Sequence, residues 1–342
     1  MAVPVAIPFP LAGAAFGTAR KIASAHRRLI APDGPRGPRA ALPRTLVACS
    51  GGPDSCALVV ALAHAGFPFA VGHVVHDMRP PAEAHADRDL ARAAAARAGV
   101  DFLESTVFVR TGGNLESAAR RERYRALAEM AARAACSCIA TGHHADDQLE
   151  TLLMSLLRGA GPHGLRGIAA HRRLPSGAVL VRPMLGVTRA EALEVCAQAG
   201  VRFGVDATNL DRSRFRAALR EGPLREIIRL RPTAPARAAR TARLMRDLAG
   251  IVDVAAGALP TIGPHRWERR VLRGAPGVIA GAALRRAFAE ISGGRGADAL
   301  RGRMVDQAVR IVRDTSTDPR SLDWPSGVRL EVTAHEVRLR PV

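Results

Sequence analysis

Thr45-Leu46-Val47-Ala48-Cys49-Ser50-Gly51-Gly52-Pro53-Asp54-Ser55, followed by the apolar run Cys56 to Ala63, decides the fold. Leu46 to Cys49 is a short apolar strand, Ser50 to Ser55 a glycine-rich loop, and the run beyond it a helix. Two adjacent glycines let the main chain approach an anion closely, and Ser50 and Ser55 offer hydroxyls. The following helix turns unpaired N–H groups and its positive dipole end toward the loop. The loop is therefore read as a polyphosphate cradle. It is not a Walker A loop, which ends in Gly-Lys-Ser/Thr, because Lys21 is the only lysine of the chain. Asp54 stands where such a loop carries its cation, and a carboxylate facing phosphates implies a Mg²⁺ between them.

The chain has 342 residues, room for about two domains and a real core. Its formal net charge of +19 predicts attraction to a polyanion, most simply RNA or DNA. A GC-rich coding bias accounts for arginine in place of lysine but not for the surplus of positive charge. Aromatic residues make up only 4% of the chain, so nucleic-acid binding should rest on arginines more than on stacking. The five cysteines, 49, 56, 136, 138 and 196, form neither paired CxxC knuckles nor an even disulfide set, which fits a reduced, cytoplasmic setting. No stretch approaches ~20 uninterrupted apolar residues, so no membrane span is expected. Residues 1–43 are read as a flexible N-terminal extension; prolines at 4, 8 and 10 and the lack of a leading basic stretch argue against a secretory signal.

From residue 44 strands and helices alternate: helix Ser55 to Ala65, strand Phe69 to Val75, helix Ala82 to Ala98, strand Phe102 to Val107, helix Leu115 to Ala135, strand Ser137 to Thr141, helix Ala145 to Arg158. Val179 to Val181 adds a strand, and Thr188-Arg189-Ala190-Glu191 opens a helix with a capping box that closes at Gly200. This alternation predicts an α/β fold with a parallel sheet covered on both faces, and with the phosphate loop at the carboxyl ends of its strands. The domain is expected to span 44–215. Residues 216–342 read as a smaller, mostly helical domain ending in a β-hairpin, Val328 to Val332 with Val337 to Arg340.

A second motif follows the strand Cys138 to Thr141: Gly142-His143-His144-Ala145-Asp146-Asp147-Gln148-Leu149-Glu150-Thr151. Asp147 and Glu150, three apart, share one face of a helix's first turn. Acids there also complement the helix dipole, and adjacent histidines on a regular backbone point apart, which disfavours a zinc site. Together, the Ser-Gly-Gly-Pro-Asp-Ser loop and the Gly-His-His-Ala-Asp-Asp-Gln-Leu-Glu-Thr segment resemble the bacterial tRNA(Ile)-lysidine synthetase family within the PP-loop ATP pyrophosphatases, whose nucleotide domain is Rossmann-like (adenine nucleotide α-hydrolase-like). Asn114 to Tyr124, Arg158 to Gly161, Val181 to Leu185 and Asp206 to Asn209 match further family segments, in order, from about residue 45 to 224. The sequence departs from the pattern at Ala217, where the family has Asn, and in His73 to Arg79.

The resemblance implies ATP-dependent ligation of free lysine to C2 of the wobble cytidine of a tRNA(Ile) with a CAU anticodon, through an adenylated tRNA. On that basis Ser50, Gly51, Gly52, Pro53, Asp54, Ser55 and His143 would bind ATP, and Asp54 would hold Mg²⁺. Asp147 and Glu150 would take lysine, and Arg120 and Arg216 would stabilise phosphate or RNA charge. The basic helices beyond residue 215 would grip tRNA, and a homodimer is implied by family habit. Other readings of the same loop are a tRNA thiolase, which would use cysteine pairs this chain lacks, a small-molecule synthetase, and a non-catalytic RNA-binding protein.

Overall fold

A computed structural model describes residues 9–31, 42–77, 81–108, 115–204, 215–296 and 299–342. Two compact units emerge: residues 1–154 with 167–242, and residues 155–166 with 243–342. In the first, α1 (Gly13–Ile30) precedes β1 (Thr45–Ala48), α2 (Pro53–His64), β2 (Phe69–His76), α3 (Pro81–Ala98), β3 (Phe102–Val107), α4 (Leu115–Arg133), β4 (Cys138–Thr141) and α5 (Ala145–Leu157). Then come β5 (His171–Arg173), β6 (Val179–Val181), α6 (Arg189–Ala199), α7 (Phe215–Leu219), α8 (Arg225–Leu230) and α9 (Ala234–Gly257), in which the division between the units falls.

The six strands are ordered β3-β2-β1-β4-β6-β5. Strand alternation sorts the core into two layers. Leu46, Ala70, Ile139 and Leu180, aligned across four strands, face α4 residues Leu127 and Met130. Their neighbours Val47, Val71, Ala140 and Val181 face the buried helix α2. Each large apolar side chain so removed from water stabilises the fold by about 1.5–3 kcal/mol. Strand order reverses between β1 and β4, which opens a crevice at their carboxyl ends where open α/β sheets take ligands. The capping box of Thr188 and Glu191 forms, and α6 ends on Gly200 at φ 60°.

Three expectations change. The sheet is parallel except at β5, which pairs antiparallel with β6; the polar, exposed run His171-Arg172-Arg173 forms an edge strand through a tight turn at Gly177, φ 84°. The N-terminal extension is not free throughout. Phe9 is buried and α1 packs Ala15, Ala19 and Ile22 against α2 and α6, while His26 Nε2 lies 3.1 Å from Thr45 Oγ1 and burial lowers its pKa to about 4. Lastly, the first compact unit continues past residue 215 to Ala242, because α7 and the turn after it are tied by ion pairs to α5.

The second unit contains α10 (Arg269–Gly274), α11 (Gly277–Ile291) and α12 (Gly302–Arg313) beside an antiparallel sheet ordered β7-β10-β9-β8. The expected hairpin is β9 (Val328–Val332) with β10 (Glu336–Pro341); β7 (Arg266–Glu268) and β8 (Arg320–Trp324) widen it. Buried Arg269 donates to the carbonyls of Ile311, Val312, Asp314, Ser316 and Thr333, and so closes the end of α12.

Candidate active site

The β1–α2 loop is shaped by two close approaches. Gly51 has φ 82°, and a Cβ there would strike the carbonyl oxygen of Asp87 on α3. Gly142, which opens the β4–α5 turn, lies so near α2 that a Cβ would come within 2.9 Å of the Asp54 carbonyl carbon. Both require glycine. Gly52 caps α2 with no side-chain hydrogen bond and Pro53 occupies the first turn, so the helix presents its N-terminus uncapped. Ser55 Oγ accepts from Ser50 N at 3.1 Å and donates to Gly52 O at 3.0 Å, which fixes the loop's curvature. Gly204 N donates to Gly51 O at 2.9 Å from the other side.

Across the crevice, α5 begins at Ala145, and Asp147 Oδ2 accepts from the main-chain N–H of His144 at 2.9 Å. His144 is buried at the centre of three carboxylates, with Nε2 3.4 Å from Asp54 Oδ2 and 3.6 Å from Asp147 Oδ2, and Nδ1 3.4 Å from Asp146 Oδ2. Burial disfavours its charge, but Asp146, Asp54 and Asp147 outweigh it and raise the pKa to about 10. Asp146 Oδ2, 3.4 Å from His144 Nδ1, also accepts from the Arg189 N–H at 2.9 Å. The neighbouring His143 behaves oppositely. Burial, reinforced by Arg182 and Arg120, lowers its pKa to about 4 against the pull of Asp147, and it rests on Thr141 Oγ1 at 2.9 Å. Two adjacent histidines thus serve as one fixed cation and one neutral ring, a separation set by environment.

Glu150, 1% exposed, is gripped by Arg216 and by Arg220 Nη2 at 2.7 Å, and Arg220 also stands 3.6 Å from Asp147 Oδ1. Burial works against the Arg220 charge, yet Glu150 and Asp147 hold its pKa above the ordinary guanidinium value. The two arginines lie four residues apart, so they share a helix face, and the chain passes directly from α7 into a π-helical turn, Arg220–Leu224, that contains Pro223. Among the described residues, four carboxylates, Asp54, Asp146, Asp147 and Glu150, meet three cations, His144, Arg216 and Arg220.

The structure therefore brings together Asp54, Asp147, Glu150 and Arg216 of the expected set, with His143 beside them and the Ser50–Ser55 loop across the crevice. Arg120 stands apart from this cluster, donating to Tyr124 Oη at 3.3 Å and stacking over its ring. Asp206 to Asn209 lie outside the described residues. Sequence reasoning missed His144 and Arg220; the four-residue spacing of Arg216 and Arg220 was the available signal for the second. Asp54 Oδ1 is buried without a hydrogen-bond partner, an acceptor suited to a cation. Among the described residues no group of three or more His, Cys, Asp or Glu could hold a metal ion.

A glycine loop on an uncapped helix, facing an acid-rich turn across the switch point of a parallel sheet, defines an ATP-binding PP-loop protein, and the PP-loop domain model matches residues 20–227. Within that class the chain belongs to the tRNA(Ile)-lysidine synthase family. It is 36% identical to the Methylobacterium nodulans tRNA(Ile)-lysidine synthase over 76% of this chain and 79% of that protein. It is 41% identical to the Salinispora tropica tRNA(Ile)-lysidine synthase over 63% of this chain, an alignment that spans 66% of the relative's length. Among solved structures, the U34-tRNA thiolase NcsA of Methanococcus maripaludis, with its [4Fe-4S] cluster, superposes with a TM-score of 0.50 at 15% identity, over 67% of this chain and 79% of that one, a likeness of fold alone.

Proposed function

We propose that the chain is a ligase that joins lysine to C2 of the wobble cytidine of CAU-anticodon tRNA(Ile), converting ATP to AMP and pyrophosphate. The observation that carries this reading is the contact between the two motifs: His144 links Asp54 of the phosphate loop to Asp147 of the acid pair, so nucleotide and amino acid would share one crevice. Family membership supports the same reading.

The cytidine O2 is a poor leaving group. Attack of O2 on the α-phosphorus, with pyrophosphate departing, turns that oxygen into part of AMP, which a nucleophile at C2 can displace. Ser50, Gly51, Gly52 and Ser55, with the α2 N-terminus, would hold the departing phosphates. Asp54 would hold Mg²⁺ through Oδ1, and the ion, when bound, would neutralise charge on pyrophosphate. His143, Arg216 and Arg120 would face the nucleotide and RNA.

Lysine arrives as an ammonium, and freeing its amine at pH 7 costs about 4–5 kcal/mol from a reference pKa near 10.4. Asp147 and Glu150 would orient it and accept the proton as the C–N bond forms and AMP leaves. Because Glu150 is engaged by Arg216 and Arg220, Asp147 is the more accessible of the pair. Residues 216–342 would contribute much of the RNA contact through the arginines of α9 and α12. Among the described residues no helix is long and apolar enough to cross a membrane, and five free cysteines suit a reducing cytoplasm.

The test is pyrophosphate release. The expected result is release that requires tRNA(Ile) with a cytidine at the wobble position and that turns over repeatedly only when lysine is added. Release with ATP and lysine but no tRNA would identify a small-molecule synthetase, and no release under any condition would leave an RNA-binding protein.

A further inference from the structure

One buried cation near the site meets no counter-charge among the described residues. Arg182 follows β6, is 3% exposed, and donates from Nη1 to Ala169 O at 2.6 Å. Its Nε–H is buried and meets no acceptor. By contrast, Arg216 and Arg220, the guanidinium groups at the acid pair, both grip Glu150. A buried charge without an opposite partner is costly, so such a group is expected where a ligand supplies the missing anion.

Its placement says which ligand. Ala140 on β4 pairs in register with Val181 on β6, so Thr141 and Arg182 leave the sheet side by side, next to the turn that carries His143, His144 and Asp147. Tyr124, the only tyrosine of the chain, supports the Arg182 charge electrostatically and accepts from Arg120 at 3.3 Å. With its oxygen facing two arginines, the hydroxyl is left to donate its proton outward. Arg182 lies two strands from the phosphate loop, about 10 Å at the usual strand spacing. An amino acid anchored there could reach the nucleotide end of the crevice with a long side chain, passing Asp147 on the way.

We propose that Arg182, with the Tyr124 hydroxyl, is the subsite for the α-carboxylate of the amino-acid substrate. This deepens the reading of the site as one for lysine and rests on it. The acid pair can recognise an ammonium, but every simple diamine also carries one; only an oxyanion site distinguishes an amino acid from its decarboxylated form. A guanidinium and a hydroxyl suit a phosphate as well, so the test separates the two sources.

The experiment compares lysine with 1,5-diaminopentane as acceptor on adenylated tRNA, in the wild-type chain and in Arg182→Gln, which keeps a donor for Ala169 O. Wild type should prefer lysine by about 10³-fold or more in kcat/KM, since a site built to bond a polar group rejects the analogue lacking it. In Arg182→Gln the preference should shrink by about 10²-fold, through the KM for lysine, with the diamine little affected. Equal use of both amines by wild type would overturn the proposal, even if the variant fails to fold. So would an equal loss for both amines, or a loss confined to the ATP dependence of tRNA adenylation, which would mark a phosphate site. A wild-type chain that releases no pyrophosphate with tRNA(Ile) would instead overturn the ligase reading, and the carboxylate ligand with it.

Discussion

Asp147→Asn is expected to slow lysine transfer by about 10²–10³-fold while formation of adenylated tRNA stays within about tenfold of wild type. The asparagine oxygen can still accept from the His144 N–H, so the start of α5 is preserved. What is lost is the negative charge facing the lysine ammonium, and removing one partner of a buried charge pair costs about 3–5 kcal/mol. Single-turnover assays that follow labelled AMP and labelled lysine separately check this; equal loss in both steps would remove Asp147 from lysine handling. Glu150→Ala is a blunter probe. It removes the buried partner that Arg216 and Arg220 share, so it should also lower stability.

Gly51→Ala should abolish both steps, by more than about 10³-fold, in a chain that remains folded. A methyl group there must displace the Asp87 carbonyl and adopt φ 82°, a left-handed conformation that strains a non-glycine residue. The strain falls on the loop that cradles phosphate, and a displacement of about 1 Å in such a loop is enough to lose about 10²-fold in rate. Near-wild-type ATP-dependent activity in Gly51→Ala would show that the loop does not hold the nucleotide as described.

Much of this was legible in the chain because the decisive information is local. A short apolar strand, two glycines, Pro53 at a helix start and an acid pair three residues apart each fix geometry within a few positions, and both motifs fall at the strand ends where the sheet makes its crevice. What escaped depends on distant partners. The edge strand His171 to Arg173 is one such case, a polar run that pairs only because β6 lies beside it. The core role of α1 was hidden by the Pro- and Gly-rich sequence around it, although Ala15, Ala19 and Ile22 repeat at helical spacing. The charged state of His144 arises in part from Asp54, which is ninety positions away in sequence and 3.4 Å away in space. Arg220 shows itself as a site residue only through its distant partner Glu150.

In the proposed reaction one crevice first activates the RNA base with ATP and then hands it to lysine. Incubating the chain with tRNA(Ile) and α-phosphate-labelled ATP, in the absence of lysine, is the decisive experiment. The expected result is label attached to the tRNA and discharged as AMP when lysine is added. Label that appears only as free AMP, and never on the tRNA, would refute that order of events.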